Sequence, residues 1–396
     1  MDHLSYPESY LLERGGLLTA GEIEGQPEVW DLTKKSFFAQ MEAFRPFWQK
    51  ACAGADEVIL TGAGTSSFIG LSLEGLFFRR TGLVCRAVPT THIVSHPENY
   101  FSKAKTPLIV SFARSGNSPE SCAALEAADA FSKACFHLII TCDGEGSLAM
   151  YRSAHPVYTI LLPPGANDKG LAMTGSYSSM LLTGLLAACH TRPSHAKEQT
   201  LVQQGAARGI LTGKLAQIRR IASVDFKRAV FLGSGELFGT AEEAALKLQE
   251  LTDGKIICKA DTYLGFRHGP KAVIDAATLV VYFFNGNEHV RRYETDLLRT
   301  TGRGTRALFQ LGISACPVHS RELDELILLE TPVKMEEDFM PLSAIVPAQL
   351  LAFFKSLQLG LSPDNPSVSG AISRVVEGVK IYPFTPPAED IRFPVD

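Results

Sequence analysis

The 396-residue sequence predicts an α/β protein of two doubly wound units, each a mostly parallel sheet flanked by helices. Two observations carry this. Short, wholly apolar runs alternate with helix-length stretches, as when strands buried on both faces are joined by crossover helices. The segments "VILTGAGTSSFIG" (Val58–Gly70) and "VFLGSGELFGTA" (Val230–Ala241) also repeat one plan of strand, glycine-x-glycine turn and helix start. Two copies of one unit follow from that repeat.

Taken in order, residues 1–45 form a helical lead-in, with "EIEGQPEVW" as a short helix or two packed outside the first unit. Residues 46–196 form the first unit, with strands at "EVILTG" (Glu57–Gly62), "PLIVSFA" (Pro107–Ala113), "FHLIITC" (Phe136–Cys142) and "VYTILL" (Val157–Leu162). The apolar window Gly170–His190 is interrupted by Ser, Thr, Tyr and Gly, so it reads as a buried helix and not a membrane span. A long polar helix over Lys197–Ser223 joins the units, within a linking segment 197–224. The second unit, 225–365, places strands at "AVFLGSG" (Ala229–Gly235), "KIICKA" (Lys255–Ala260), "TLVVYFF" (Thr278–Phe284) and "ELILLE" (Glu325–Glu330). The tail, 366–396, ends in the proline-rich "PPAEDIRFPVD", which should hold no regular element.

Composition narrows the function classes. With 45% hydrophobic and 20% charged residues the chain is globular, and a net charge of −4 without a basic block leaves no nucleic-acid footprint. "MDHLSYPESYLLERGG" has acidic residues and no apolar core, so it is not a signal peptide and the expected compartment is the cytoplasm, without membrane attachment. The eight cysteines form no CxxC pair and read as reduced, buried thiols. The histidines are scattered and show no HExxH, so no metal site is expected.

Chemistry concentrates where strands end. In "ARSGNS" a buried strand stops in a serine-glycine turn, and a helix starts at once at Pro119-Glu120. Unpaired N–H groups at a helix start, the helix dipole and small hydroxyls together make an anion cradle suited to phosphate. Ser115, Ser118 and Arg114 supply it here, and Thr65 and Ser66 supply the equivalent point of the first strand. Tight turns with N-caps would use the same residues. A dinucleotide fingerprint is excluded, because in "GAGTSS" the third glycine falls wrongly and no suitable acidic residue follows. On the helix from Thr240 to Gly254, Glu243, Lys247 and Glu250 share one stripe; a solvated salt-bridged face and a reactive site remain open. His268 sits in a turn, "RHGP", where it is either a surface residue or a functional one.

Together "GTSS", "SFARSGNSPES", "EEAALKLQEL", "RHGP" and "QLLAFFKSLQLGLSPDNP" resemble the sugar isomerase (SIS) family over nearly the whole chain. "EIEGQP" is similar to the lead-in of its amino-sugar branch, and "ARSGNSPES" with "RVVEGVKIYPF" look most like the branch of galactosamine-6-phosphate deaminase/isomerases, also described as tagatose-6-phosphate aldose-ketose isomerases. The resemblance implies SIS-type units and a sugar-phosphate loop in which Ser115 and Ser118 hold the phosphate, with Arg114 and Asn117 close by and Thr65 and Ser66 on the same ligand. It implies Glu250 as general base, Lys247 as its electrostatic support, and His268 as the group that assists ring opening. In that branch the histidine reaches in from another subunit, which implies a homodimer or larger homo-oligomer with shared sites.

The expected activity is that of an isomerising deaminase in amino-sugar catabolism, converting a hexosamine 6-phosphate, foremost galactosamine 6-phosphate, to tagatose 6-phosphate and ammonium. As an enzyme class this is a hydrolase acting on a C–N bond, with no metal or redox cofactor needed. A plain aldose-ketose isomerase, formally an intramolecular oxidoreductase, is the alternative, and a sugar-phosphate-sensing regulator a further one. The second unit has "FFNGNEH" where a phosphate loop would stand, so one site per chain is expected. Arg374 and Lys380 are the tail's candidate site residues, and Asp2 stands where a glutaminase domain would need its cysteine.

Overall fold

The computed structural model describes residues 2–301, 304–376 and 378–384. The tail stretch "PPAEDIRFPVD" lies outside them.

A two-residue hairpin, Asp2–His3 against Tyr6–Pro7, opens the chain. It leads into α1 (Glu8–Arg14), α2 (Leu17–Glu24), α3 (Gln26–Ala39) and α4 (Met41–Gly54). The expectation that this lead-in packs outside the first unit is corrected by α3. Trp30 is fully buried and its indole N–H donates to Ser178 Oγ at 2.8 Å, while Gln26 Nε2 donates to Gln349 Oε1 at 2.7 Å. Polar groups buried this deeply persist because each finds a partner, and here those partners come from helices far along the chain.

The first sheet comprises β1 (Glu57–Thr61), β2 (Val84–Ala87), β3 (Pro107–Ala113), β4 (Phe136–Thr141) and β5 (Val157–Leu161), all parallel, in the order β2-β1-β3-β4-β5. The second comprises β6 (Arg228–Leu232), β7 (Ile257–Asp261), β8 (Thr278–Phe284), β9 (Phe309–Ser314) and β10 (Glu325–Leu328), again parallel, in the order β7-β6-β8-β9-β10. The two orders are the same permutation, which is the repeat seen in the sequence. In each sheet the strand order reverses between the first and third strands, the place where open α/β sheets leave a crevice for ligands.

Two strands of these sheets escape the sequence reading. "VCRA" is a short edge strand carrying an arginine, and "FQLGIS" hides a glutamine and a glycine in a core strand. Gln310 is tolerated there because Tyr282 donates its hydroxyl to Gln310 Oε1 at 2.7 Å. The single linking helix is also corrected, to α9 (Pro193–Gly213) and α10 (Leu215–Ala222). The break falls at Lys214, at the end of a stretch weakened by three glycines, Gly205, Gly209 and Gly213.

Between the sheets lie α5 (Thr65–Thr81), α8 (Gly175–Ala188), α11 (Glu236–Leu251) and α13 (Pro341–Gln358). Every residue of α8 is buried, as the reading of that apolar window expected. The apolar segment Glu337–Gln358 is long enough to span a membrane, but 94% of its window is buried inside the fold. Helices α5 and α11 meet through small residues: a Cβ on Gly239 would lie 2.4 Å from the Phe68 carbonyl. That close approach carries the polar stripe of α11 to the crevice of the first sheet.

Candidate active site

At the end of β1, Gly64 has φ 54°, a backbone that side chains rarely tolerate, and α5 starts immediately at Thr65. At the end of β3, Gly116 has φ 65°, and an added Cβ would lie 3.0 Å from Leu148 Cβ. The second helix of the crevice, α7 (Pro119–Phe131), then starts after Ser118. Both turns open on one cavity of about 580 Å³. Thr65, Ser66, Ser115 and Ser118 line it, together with Ser121 one turn further along α7. Lys247 and Glu250 of α11 form its opposite wall.

The stripe on α11 is no solvated face. Lys247 is 1% exposed, donates from Nζ to Glu250 Oε2, and lies 3.6 Å from Glu243 Oε1. Burial alone would push the ammonium's pKa down, yet Glu243 and Glu250 outweigh it and keep the lysine charged. Glu243 is fully buried; desolvation, opposed by Lys247, pushes its pKa up to about 8. The closer contact of the ammonium is with Glu250, and Glu243 stands behind it. Glu250, 23% exposed, faces the cavity.

Other expected residues take different places. Arg114 lines the cavity but spends its guanidinium on main-chain carbonyls, donating to Gly170 O at 3.2 Å, Leu171 O at 3.0 Å and Arg374 O. Burial and the nearby charge of Arg374 lower its pKa. Asn117 is exposed and outside the cavity lining; its Oδ1 accepts from the N–H and hydroxyl of Ser147 and fastens the loop. His268 is exposed in the turn after Gly265–Arg267 and does not line the cavity. Lys380 lies over the ring of Tyr382, also away from the cavity. Arg374 lines it, within a tail segment, Gly370–Val376, that forms one wall.

Sequence reasoning missed Ser121, Leu171, Met173 and most of that tail wall. Ser121 was legible as a hydroxyl one helical turn beyond Ser118; the apolar and tail residues carry no local signal. It also missed a grouping on the first unit, where His137 Nε2 lies 2.7 Å and Cys135 Sγ 3.0 Å from Asp129 Oδ1, and the Tyr151 hydroxyl donates to Asp129 Oδ2. Burial pushes the Asp129 carboxyl's pKa up, but these bonds outweigh it and hold it well below the usual carboxylate range. None of these residues lines the cavity.

A hydroxyl-lined cradle at the switch point of one sheet, faced by a buried ammonium–carboxylate pair from the other half, defines a class. It is an α/β protein of two parallel sheets with a polar cavity at the switch point of the first. The SIS domain model matches residues 52–189. The chain is 38% identical over 378 residues to D-galactosamine-6-phosphate deaminase AgaS of Shewanella sp. (strain ANA-3), covering 94% of each. Its fold superposes with TM-score 0.92 on a Clostridium novyi NT protein described as a candidate tagatose-6-phosphate ketose/aldose isomerase, at 38% identity, covering 97% of this chain and 100% of that one. The Escherichia coli tagatose-6-phosphate ketose/aldose isomerase gives TM-score 0.83 at 33% identity, covering 93% and 98%. The chain belongs to the SIS family, in the group of these galactosamine-6-phosphate deaminases.

Proposed function

We propose that this protein is an isomerising deaminase that converts galactosamine 6-phosphate and water to tagatose 6-phosphate and ammonia. The observation that carries this reading is the Lys247–Glu250 pair opening on the same cavity as five hydroxyl side chains of the first unit. Ser115, Ser118, Ser121, Thr65 and Ser66 would hold the phosphate, with Asn117 fixing their loop. In the open-chain sugar, Glu250 takes the proton from C2 and returns one to C1, giving an enolamine and then a C2 imine. The amine hydrogen lost at nitrogen balances the one gained at O1. Water adds to the imine carbon, and the C–N bond breaks to leave the ketone and ammonia. Lys247 fixes the carboxylate and stabilises negative charge developing on oxygen.

In this reading the first unit (46–196) binds phosphate and the second (225–365) supplies the proton shuttle, joined by 197–224 and flanked by 1–45 and 366–396. The reaction makes the enzyme a C–N hydrolase. His268, exposed and outside its own chain's cavity, would act in the cavity of a second subunit of a dimer or larger assembly. Eight unpaired cysteines suit a reducing, cytoplasmic setting.

The test is ammonia release from galactosamine, glucosamine and N-acetylated hexosamine 6-phosphates, with identification of the sugar product. Ketose formation from unaminated sugar phosphates without ammonia release from any of them supports the alternative, a plain isomerase, which the Escherichia coli relative's description favours. Subunit sharing predicts that inactive His268→Ala and Glu250→Gln proteins regain partial activity when mixed under exchange conditions, since a mixed dimer holds one intact site. No recovery despite exchange refutes sharing.

A further inference from the structure

Both arginines in the cavity wall are held by the segment 167–171. Arg114 donates to the carbonyls of Gly170 and Leu171, and Arg374 donates through Nε to the carbonyl of Asp168 at 3.0 Å and through Nη2 to Asn167 Oδ1 at 2.9 Å. The carbonyl of Arg374 accepts from Arg114, so the tail and the end of β3 are tied to each other and to this segment. What holds the segment lies on its other side. Glu22 of α2 accepts the N–H of Lys169 at 2.5 Å and of Gly170 at 3.0 Å, both on Oε1.

The N–H of Lys169 and the carbonyl of Asp168 belong to one peptide group, whose planar trans geometry points them in opposite directions. Glu22 and Arg374 therefore grip the same peptide plane from its two edges. A carboxyl oxygen accepting the N–H polarises the group and makes its carbonyl a better acceptor for the guanidinium. Space is matched to the bond: a Cβ on Gly170 would lie 3.0 Å from Glu22 Oε2 and 3.1 Å from Thr19 Oγ1. Resting on the reading above, we infer that Glu22 is a positioning residue for the active site, setting Arg374 and the tail wall through the 168–170 peptides.

Two readouts test this. Glu22→Ala should speed tryptic cleavage after Arg374 by ~10-fold and lower kcat/KM by ~10-fold or more, the size expected for a lost charge-assisted bond. Glu22→Gln keeps one oxygen for both N–H groups and should restore most of each. Gly170→Ala leaves every polar group in place and should reproduce the Ala phenotype by pushing the carboxylate away, should Glu22→Ala fold poorly. The kcat/KM losses of Glu22→Ala and Arg374→Ala should not multiply in the double variant. A wild-type cleavage rate in both Glu22→Ala and Gly170→Ala, or fully multiplying losses, overturns the inference. The cleavage readout needs no substrate, so it decides the positioning role even if the wild-type protein releases no ammonia and the function itself is wrong.

Discussion

The two sheets end in nearly the same backbone and in opposite chemistry. Gly64 and Gly235, each just before a helix, have φ/ψ of 54°/−129° and 57°/−129°. The glycines two residues earlier are equally confined: a Cβ on Gly62 would lie 2.6 Å from Ser66 Cβ, and one on Gly233 would lie 2.1 Å from the Leu237 carbonyl. In the first sheet the helix begins with Thr65 and Ser66, and the crevice is open. In the second it begins with Glu236, whose carboxylate accepts from Asn285 Nδ2 at 3.2 Å, while Glu294 accepts from the Asn285 N–H at 2.9 Å. A carboxylate from the protein thus takes the main-chain donor beside the second turn. The comparison teaches that the turn geometry belongs to the fold, whereas anion binding depends on which side chains stand in it. In the proposed reading it also explains the division of labour, since the second unit contributes a helix face in place of a cradle.

The largest effect should come from removing the base that the second unit lends to the first. Glu250→Gln keeps the side-chain shape and should lower turnover by at least ~100-fold, the lower end for general base catalysis. Solvent-deuterium exchange at C1 or C2 and ammonia release should vanish together. Exchange that survives while ammonia release is lost would move Glu250 to imine hydrolysis.

Next, the open cradle should be the only one that matters for phosphate. Ser115→Ala with Ser118→Ala removes two hydroxyl donors worth about 1.5–3 kcal/mol each against a charged ligand. KM should rise by ~100-fold and competition by inorganic phosphate should fade. Asn285→Ala in the second sheet should leave KM within about 2-fold while lowering the melting temperature, because a buried bond worth about 1 kcal/mol is lost. A comparable KM effect there would dissolve the contrast between the sheets.

The smallest effect concerns the carboxylate in the second crevice. Burial, opposed by the Asn285 N–H, pushes Glu294's pKa up to about 7. A carboxyl whose folded pKa lies above its unfolded value of about 4.5 favours the fold fully below that value and loses the benefit as pH rises towards 7. Glu294→Gln should therefore gain stability relative to wild type between pH 5 and 8, by on the order of 2 kcal/mol, read by denaturant unfolding. A difference independent of pH would mean that this carboxyl titrates normally.

Most of the sheet framework was legible because a strand buried on both faces must be apolar along its whole length. "PLIVSFA" and "TLVVYFF" coincide with their strands to the residue. "FQLGIS" was not legible, since its glutamine is made acceptable by Tyr282, a partner that no local pattern reveals. The serines of the cradle could be read because turn, hydroxyls and helix start are contiguous. Arg114 could be seen but its partners could not, since its carbonyl acceptors lie up to 260 residues away. The stripe on α11 was visible as a pattern, but its burial depends on Gly239 allowing α5 to approach, which spacing alone does not disclose.

The sequence by itself determined the repeated α/β plan, the two glycine turns, the hydroxyl cradle and the Lys247–Glu250 stripe. All of these rest on interactions spanning a few residues or on simple burial periodicity. Only the tertiary structure decided that the stripe faces the cradle, that the tail and Leu171 line the cavity, and that Glu22 stands behind them. Those relations depend on how helices cross and on where main-chain carbonyls point. Both are set by packing between distant parts of the chain.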